Sequence, residues 1–273
     1  MRPGDSPPGL ADLHSHLVPG VDDGAASVED ALEGIGRMVE AGVTSIVTTP
    51  HLDGSLTRDS KRLGERLHVL DASFADLAAA AEESFPGVSL ERGCEIMLDR
   101  PDVDLSNPGV RLAGTTFALI EWPRLQIPPA TSAVLRAIRE QEVHALIAHP
   151  ERYAGYDEAL TVISLWREEG ALLQMNYGSL VGRYGPQVRA RAFHLLEAGW
   201  VDCLSTDFHG RPALGLFIEE VREIFAELDA EPAWELLTET NPRRIARGEE
   251  TLAVPPVEGD RGFLARLWSL FRT

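Results

Sequence analysis

Cysteine, basic residues and long apolar runs are all scarce in this chain. Its two cysteines, Cys94 and Cys203, are too few for a disulfide framework, and both lie in apolar, strand-like segments. A reducing cytoplasm is therefore the expected compartment. No apolar stretch approaches the roughly 18 residues of a membrane span, and the opening MRPGDSPPGL lacks the apolar core of a secretory signal. Lysine and arginine number 25 against 43 aspartates and glutamates, a formal net charge of −18. That balance argues against nucleic acid as a partner, because phosphate contacts need a basic face. It would also repel phosphate esters unless bound divalent cations reversed the field locally. Low-complexity and linker-like stretches are missing as well. One folded domain over residues 11–250 is expected, after a short flexible N-terminus (1–10) and before a tail (251–273).

What is present has a clear period. Seven strand-like apolar runs recur about every 30 residues, the spacing of βα units: 11–14, 43–49, 88–94, 115–121, 143–148, 171–176 and 201–206. Most are continuous rather than alternating, as expected of parallel strands buried on both faces. Helices are expected between them at 31–41, 58–84, 128–142, 156–169, 186–198 and 213–228. Ser27 with Asp30 caps the first, Gly42 stops it, and Pro128 and Pro129 open the third. Seven such units make an incomplete or distorted relative of the eight-stranded α/β TIM-like barrel.

Five of the eight histidines stand where an expected strand gives way to a loop. The segments are DLHSHLVPGVDDG (12–24), TTPH (48–51), HPERY (149–153) and TDFH (206–209), with GCE (93–95) and EWP (121–123) adding carboxylates. A lone His-x-His is more often solvated or structural than a ligand pair. Here His14 and His16 share a strand face and are followed by Asp22 and Asp23 in a turn bounded by Pro19, Gly20 and Gly24. His51, Glu95, Glu121, His149, Asp207 and His209 repeat the theme at later strand ends. Charged groups are seldom buried unless paired or metal-bound, so this recurrence points to a multi-metal site at the carboxyl ends of the strands. Mixed imidazole and carboxylate without clustered thiolate suits manganese, iron or zinc. His68, His144 and His194 fall inside helices or at a strand start and are expected to be structural or surface residues.

Together these segments resemble the polymerase and histidinol phosphatase superfamily, and most closely its bacterial protein-tyrosine phosphatase branch, associated with capsule and exopolysaccharide assembly. The match runs from Asp12 to Pro212 and on through NPRRIARG (241–248). VPGVDDG and HPERY are the branch-specific parts. The resemblance implies a distorted seven-stranded barrel with three divalent metal ions, manganese first, with iron, cobalt or zinc as alternatives. It implies that His14, His16, Glu95 and Asp207 hold one ion, and that Glu95 bridges to a second with Glu121 and His149. Asp23, His51 and His209 would hold the third, although Asp22 competes with Asp23 on sequence alone. Asp12 is expected to support a ligand imidazole.

Arg152 is the expected phosphate clamp through a bidentate fork, against a plain salt bridge with Glu151; Arg211, one glycine after His209, is a second phosphate-contact candidate. The implied reaction is hydrolysis of phosphotyrosine on a membrane-associated bacterial tyrosine kinase. Hydrolysis of histidinol phosphate or another small ester is the alternative, and a metal-bound phosphotyrosine scaffold is a weaker one. Cys94 and Arg100 also satisfy Cys-x5-Arg, but no glycine and two carboxylates stand between them, so a cysteine-dependent mechanism is not expected. Tyr177, Arg183 and Tyr184 are candidates for the wall of the substrate site. The segment RGFLARLWSLFRT (261–273) is basic and amphipathic, able to pack back on the domain, dock on the kinase or lie on a membrane.

Overall fold

A computed structural model describes residues 9–155 and 160–258. The amphipathic segment, most of the expected N-terminal segment and the start of the fourth expected helix lie outside the described residues. Nine strands are present among those described, and every pairing is parallel. A three-stranded sheet has the order β1 (Leu10–Asp12), β2 (Val43–Thr48), β4 (Ser89–Arg92). A six-stranded sheet has the order β3 (His51–Asp53), β5 (Glu95–Met97), β6 (Phe117–Glu121), β7 (His144–Ala148), β8 (Leu172–Asn176), β9 (Cys203–Ser205).

The two extra strands, β3 and β5, lie just beyond the expected runs 43–49 and 88–94, where the chain resumes strand pairing after a break. Pro50 has no N–H to give a ladder and separates β2 from β3. Gly93 separates β4 from β5, and the neighbouring chain approaches so closely that a Cβ there would lie 2.9 Å from Leu112 Cα. Bonds across the breaks keep the sheets in step: Gly93 N donates to Thr48 O at 2.8 Å and Glu95 N to Pro50 O at 3.1 Å. His51 and Glu95 therefore sit on strands, directly paired in register, and not beyond strand ends as expected. Beyond β1 and β9 the chains remain adjacent, with His16 N donating to Phe208 O and Asp207 N to His14 O, each at 2.8 Å.

The continuous apolar runs are explained by two separate cores. Leu13, Val47, Leu119, Leu146, Ala148 and Cys203 form one cluster, closed by Ile245. Their strand neighbours Ile46, Ala118, Ile120, Ala145, Ile147 and Leu204 turn to the opposite face and join the larger core beneath the helices.

Helices α1 (Val28–Glu40) and α2 (Ser60–Ser84) start at capped residues, Ser27 Oγ accepting from Asp30 N and Asp59 from Arg62 N. Helix α4 spans Thr161–Glu168, and helices α3 (Thr131–Arg139) and α7 (Ile218–Glu227) begin later than their sequence patterns predict. The cause is shared: Ala130 and Phe217 adopt left-handed backbone conformations that end the incoming loop just before each of these two helices. Between α4 and α7 come α5 (Tyr177–Leu180) and α6 (Pro186–Glu197). After α7, residues Glu231–Ala246 continue as α8 (Glu231–Glu235), a π-helical turn and α9 (Asn241–Ala246), none of which was expected. Val254 and Val257, placed in the tail on sequence grounds, are buried in the larger core.

Candidate metal centre

The structure brings together all nine expected ligand residues, His51 and Glu95 at the starts of β3 and β5 and the others at or beyond the carboxyl ends of strands. The inner group is His14, His16, Glu95 and Asp207, all buried or nearly so. Its facing atoms are His14 Nε2, His16 Nε2, Glu95 Oε2 and Asp207 Oδ1. The two nitrogens stand 3.3 Å apart, Glu95 Oε2 lies 3.3 and 3.4 Å from them, and Asp207 Oδ1 lies 3.4 and 3.6 Å away.

Outer hydrogen bonds fix what those atoms offer. His14 Nδ1 donates to Gln174 Oε1 at 2.9 Å and His16 Nδ1 to Asp22 Oδ2 at 2.8 Å. Each inner Nε2 then carries a lone pair when the ring is neutral. Two lone pairs and two carboxylate oxygens converging in a buried space repel one another unless a cation lies between them. Metal–ligand arms of roughly 2.0–2.2 Å in a tetrahedron give ligand-to-ligand edges of roughly 3.3–3.6 Å, the spacing found here. Without a metal, protons take its place. Burial alone would lower the His14 imidazole, but Glu95 and Asp207 outweigh it and raise it to about 9. Burial would raise Glu95, but the surrounding imidazoles, His14 foremost, hold it well below the usual carboxylate range.

Glu95 divides its oxygens between neighbours. Oε2 serves the inner group and His51 Nδ1 at 3.0 Å, while Oε1 lies 3.1 Å from His149 Nε2. Glu121 Oε1 is 3.6 Å from the same His149 nitrogen. Burial and then repulsion from Glu95 raise the Glu121 carboxyl to about 7. The outer group is Asp23, His51 and His209, with Asp23 Oδ1 3.4 Å from each imidazole Nε2. His209 Nδ1 is 3.0 Å from Asp207 O, which leaves Nε2 free to face Asp23. His149 and Asp207 both hold positive φ, 34° and 52°, so strained backbone turns their side chains into the site.

The competition between the adjacent aspartates is resolved by position. Asp22 is used up by His16 Nδ1, His51 N and Gly24 N, and Asp23 is the one of the two that faces His51 Nε2 and His209 Nε2. Asp12 does not support an imidazole. Its carboxylate accepts from Thr206 N at 2.7 Å and His14 N at 3.3 Å, tying the ends of β1 and β9 together. Gln174 does the work expected of Asp12, and as a neutral residue inside an apolar strand it left no signal in the sequence.

A cavity of about 330 Å³ opens over the centre, lined by Arg152, Arg183, Tyr184, Arg211 and Phe217 among others. Arg152 does not pair with Glu151, which is buried and accepts from Asn176 N at 3.1 Å and Ser179 Oγ at 2.5 Å. Instead Arg152 Nη1 donates to Asp207 Oδ2 at 2.8 Å, with its guanidinium 4.3 Å from the centre of the Tyr184 ring. Asn176 Nδ2 donates to the same carboxylate oxygen at 2.8 Å, leaving Asp207 Oδ1 to the histidines. Arg211 reaches the cavity rim but is held by the Asp23 carbonyl. Of the three expected wall residues, Arg183 and Tyr184 line the cavity, whereas Tyr177 is buried against Trp234. Cys94 is fully buried, its thiol pushed up to about 12 by burial, and Arg100 pairs with Asp102 on the surface.

The parallel α/β fold is shared with solved structures. A phosphotriesterase homology protein from Escherichia coli superposes with a TM-score of 0.53 at 14% identity, covering 89% of this chain and all of the other. A chain from the crystal structures of YwqE from Bacillus subtilis and CpsB from Streptococcus pneumoniae, described as unique metal-dependent tyrosine phosphatases, matches with a TM-score of 0.74 at 24% identity, covering 92% of this chain and 100% of that one. The chain belongs to the capsular polysaccharide synthesis family CpsB/CapC, whose model matches residues 10–247. Among sequence relatives, the tyrosine-protein phosphatase YwqE of Bacillus subtilis is 26% identical over 90% of this chain and 95% of its own length. The tyrosine-protein phosphatase CpsB of Streptococcus pneumoniae is 25% identical over 86% of this chain and 98% of its own length. The resemblance read from the motifs thus holds along nearly the whole chain.

Proposed function

We propose that the protein is a metal-dependent phosphatase that hydrolyses phosphotyrosine on a protein of capsule or exopolysaccharide synthesis. The observation that carries this is the inner donor set, four converging electron-rich atoms with the Arg152 guanidinium bonded directly to one of their carboxylates. We read the two sheets as one interrupted barrel of seven strand positions. The in-step breaks, the parallel bridge between Ser15 and Phe208 and the enclosed inner cluster support that reading. Three divalent ions, manganese first, would be held by His14, His16, Glu95 and Asp207; by Glu95, Glu121 and His149; and by Asp23, His51 and His209.

When bound, such ions acidify a coordinated water and neutralise phosphate charge. The chain's own residues supply the rest. Arg152 keeps N–H donors free toward the cavity while Asp207 and Tyr184 fix the plane of its fork, so it receives phosphate oxygens in a set orientation. Tyr184 and Phe217 offer aromatic faces for the phosphotyrosyl ring. Asn176 holds Asp207 in place without adding charge. Phenolate, with a conjugate acid near pKa 10, leaves without needing a strong general acid. The natural substrate in this reading is the tail of a membrane-associated bacterial tyrosine kinase, met in the cytoplasm. No helix among the described residues is long and apolar enough to cross a membrane.

The test is phosphate release by the purified, Mn²⁺-supplemented protein from a phosphotyrosyl peptide and from histidinol phosphate, each with and without chelator. Chelator-sensitive turnover favouring the peptide is expected. Preference for histidinol phosphate would keep the metal centre and replace the substrate.

A further inference from the structure

The loop that carries Asp22 and Asp23 is gripped from outside the sheets by α2. Arg66 Nη2 donates to two carbonyls, Val21 O at 3.0 Å and His51 O at 3.1 Å. Seven residues on, along the same helix face, Ser73 Oγ donates to Pro19 O at 2.7 Å. These carbonyls belong to the two segments that present Asp23 and His51. The helix itself is well anchored, with Leu63, Leu67, Leu70 and Leu77 buried, so the donors stand on a fixed base.

The outer ligands need such a base. Asp23 and His51 have side chains 60% and 42% exposed, and packing alone does not fix side chains that open to water. Charge does not explain Arg66. A guanidinium beside the Asp22–Asp23 loop opposes a cation there, so what it contributes is hydrogen-bond geometry. We infer that Arg66 and Ser73 are positioning residues for the outer metal group, setting the spacing of Asp23 and His51 and hence the affinity of that position for its ion. The inference rests on the metal-centre reading above and concerns one of its three positions.

The experiment titrates metal-free parent, Arg66→Ala, Arg66→Lys and Ser73→Ala proteins with Mn²⁺ by calorimetry. Ions retained after gel filtration are counted, and each metal-free melting temperature is recorded. The parent should bind three ions. Arg66→Ala should lose one ion, or hold it roughly 10–100-fold more weakly, with the other two unchanged. Arg66→Lys should recover part of that loss, and Ser73→Ala should show a smaller weakening at the same position. Parental binding of all three ions by Arg66→Ala would overturn the inference, as would equal weakening at every position with a lowered metal-free melting temperature. Should Arg66→Ala fail to fold, unchanged outer affinity in Ser73→Ala would overturn it instead. A parent that binds no metal would refute the centre itself, and is told apart because the variants then have nothing to lose.

Discussion

The inner and outer halves of the site use the same residue types but are built differently. Inside, His14 and His16 are fully buried, with Glu95 and Asp207 at 2% and 7% side-chain exposure. Their orientation comes from side-chain partners, namely Gln174, Asp22, Asn176 and Arg152. Outside, Asp23, His51 and His209 are 60%, 42% and 20% exposed, and the first two are steadied through backbone carbonyls gripped by α2. Desolvation makes the inner half costly to leave without a cation, whereas water can satisfy the outer one. Inner occupancy should therefore behave almost as part of the fold, and outer occupancy as an adjustable ligand equilibrium.

The change that erases this difference is Glu95→Gln, because Glu95 contacts both halves through one oxygen and His149 through the other. It should remove more than the roughly 10–100-fold in metal affinity lost with an outer-shell partner, and take turnover with it. A parental metal count by elemental analysis would refute the bridging role. Next in size is Arg152→Ala, which removes a cation bonded to Asp207 without removing a ligand. It should lower kcat by roughly 10²–10³-fold, as loss of one transition-state charge stabiliser does, with metals retained. Near-normal kcat would take Arg152 out of the mechanism.

How far the sequence carried the argument differs between the halves too. All nine candidate ligands were legible because strand ends are where charged groups in apolar surroundings stand out. Asp22 and Asp23 were not separable, since which neighbour turns inward depends on the turn closed by Gly24 N on Asp22. Gln174 and Asn176 were missed because a neutral amide in a buried strand has no periodic signature, and Arg66 because an arginine on a charged helix reads as solvated. Each of the seven expected runs overlaps a strand, but the short strands β3 and β5, which resume after Pro50 and Gly93 and place His51 and Glu95 in register, were not expected. The late starts of α3 and α7 depend on left-handed residues that are not glycine, for which the sequence offers no marker.

A smaller effect sharpens the contrast from the inner side. Gln174→Ala frees His14 Nδ1 and deprives His149 N of its acceptor. It should weaken inner metal binding roughly 10–100-fold while sparing the outer ion; the reverse pattern in a Mn²⁺ titration would undo the division into halves. Protons make a related test. In the metal-free protein His14 is raised from 6.5 to about 9, and burial raises Asp12, Glu121 and Glu151 to about 7. A raised group adds stability that is complete below its unfolded pKa and fades as pH climbs through the folded value. The metal-free protein should thus lose stability from about pH 4 to about pH 9. Glu95 and Asp207, held low by imidazoles, act oppositely, their contribution fading only in acid. Because metal must displace imidazole protons, the rise in Tm on adding Mn²⁺ should grow between about pH 6 and about pH 9. A rise that shrinks over that range would mean the ions do not bind the histidines.

The smallest expected effect on catalysis is that of Cys94→Ser, one residue from Glu95 yet in neither half. Cys94 is buried beneath the strand, and its Sγ lies 3.9 Å from Gly109 O, away from the cavity. A thiol held at about 12 supplies no thiolate near neutral pH. Serine there buries a more polar hydroxyl on a shorter bond beside Gly109 O, so stability should fall by about 1–3 kcal/mol, the cost of an incompletely satisfied buried polar group. Metal content and kcat should stay near the parent's. Loss of turnover by several orders of magnitude with metals still bound would make Cys94 a nucleophile and overturn the metal reading of both halves. Loss of stability alone would show that the strand carrying Glu95 tolerates a weaker core without moving its carboxylate.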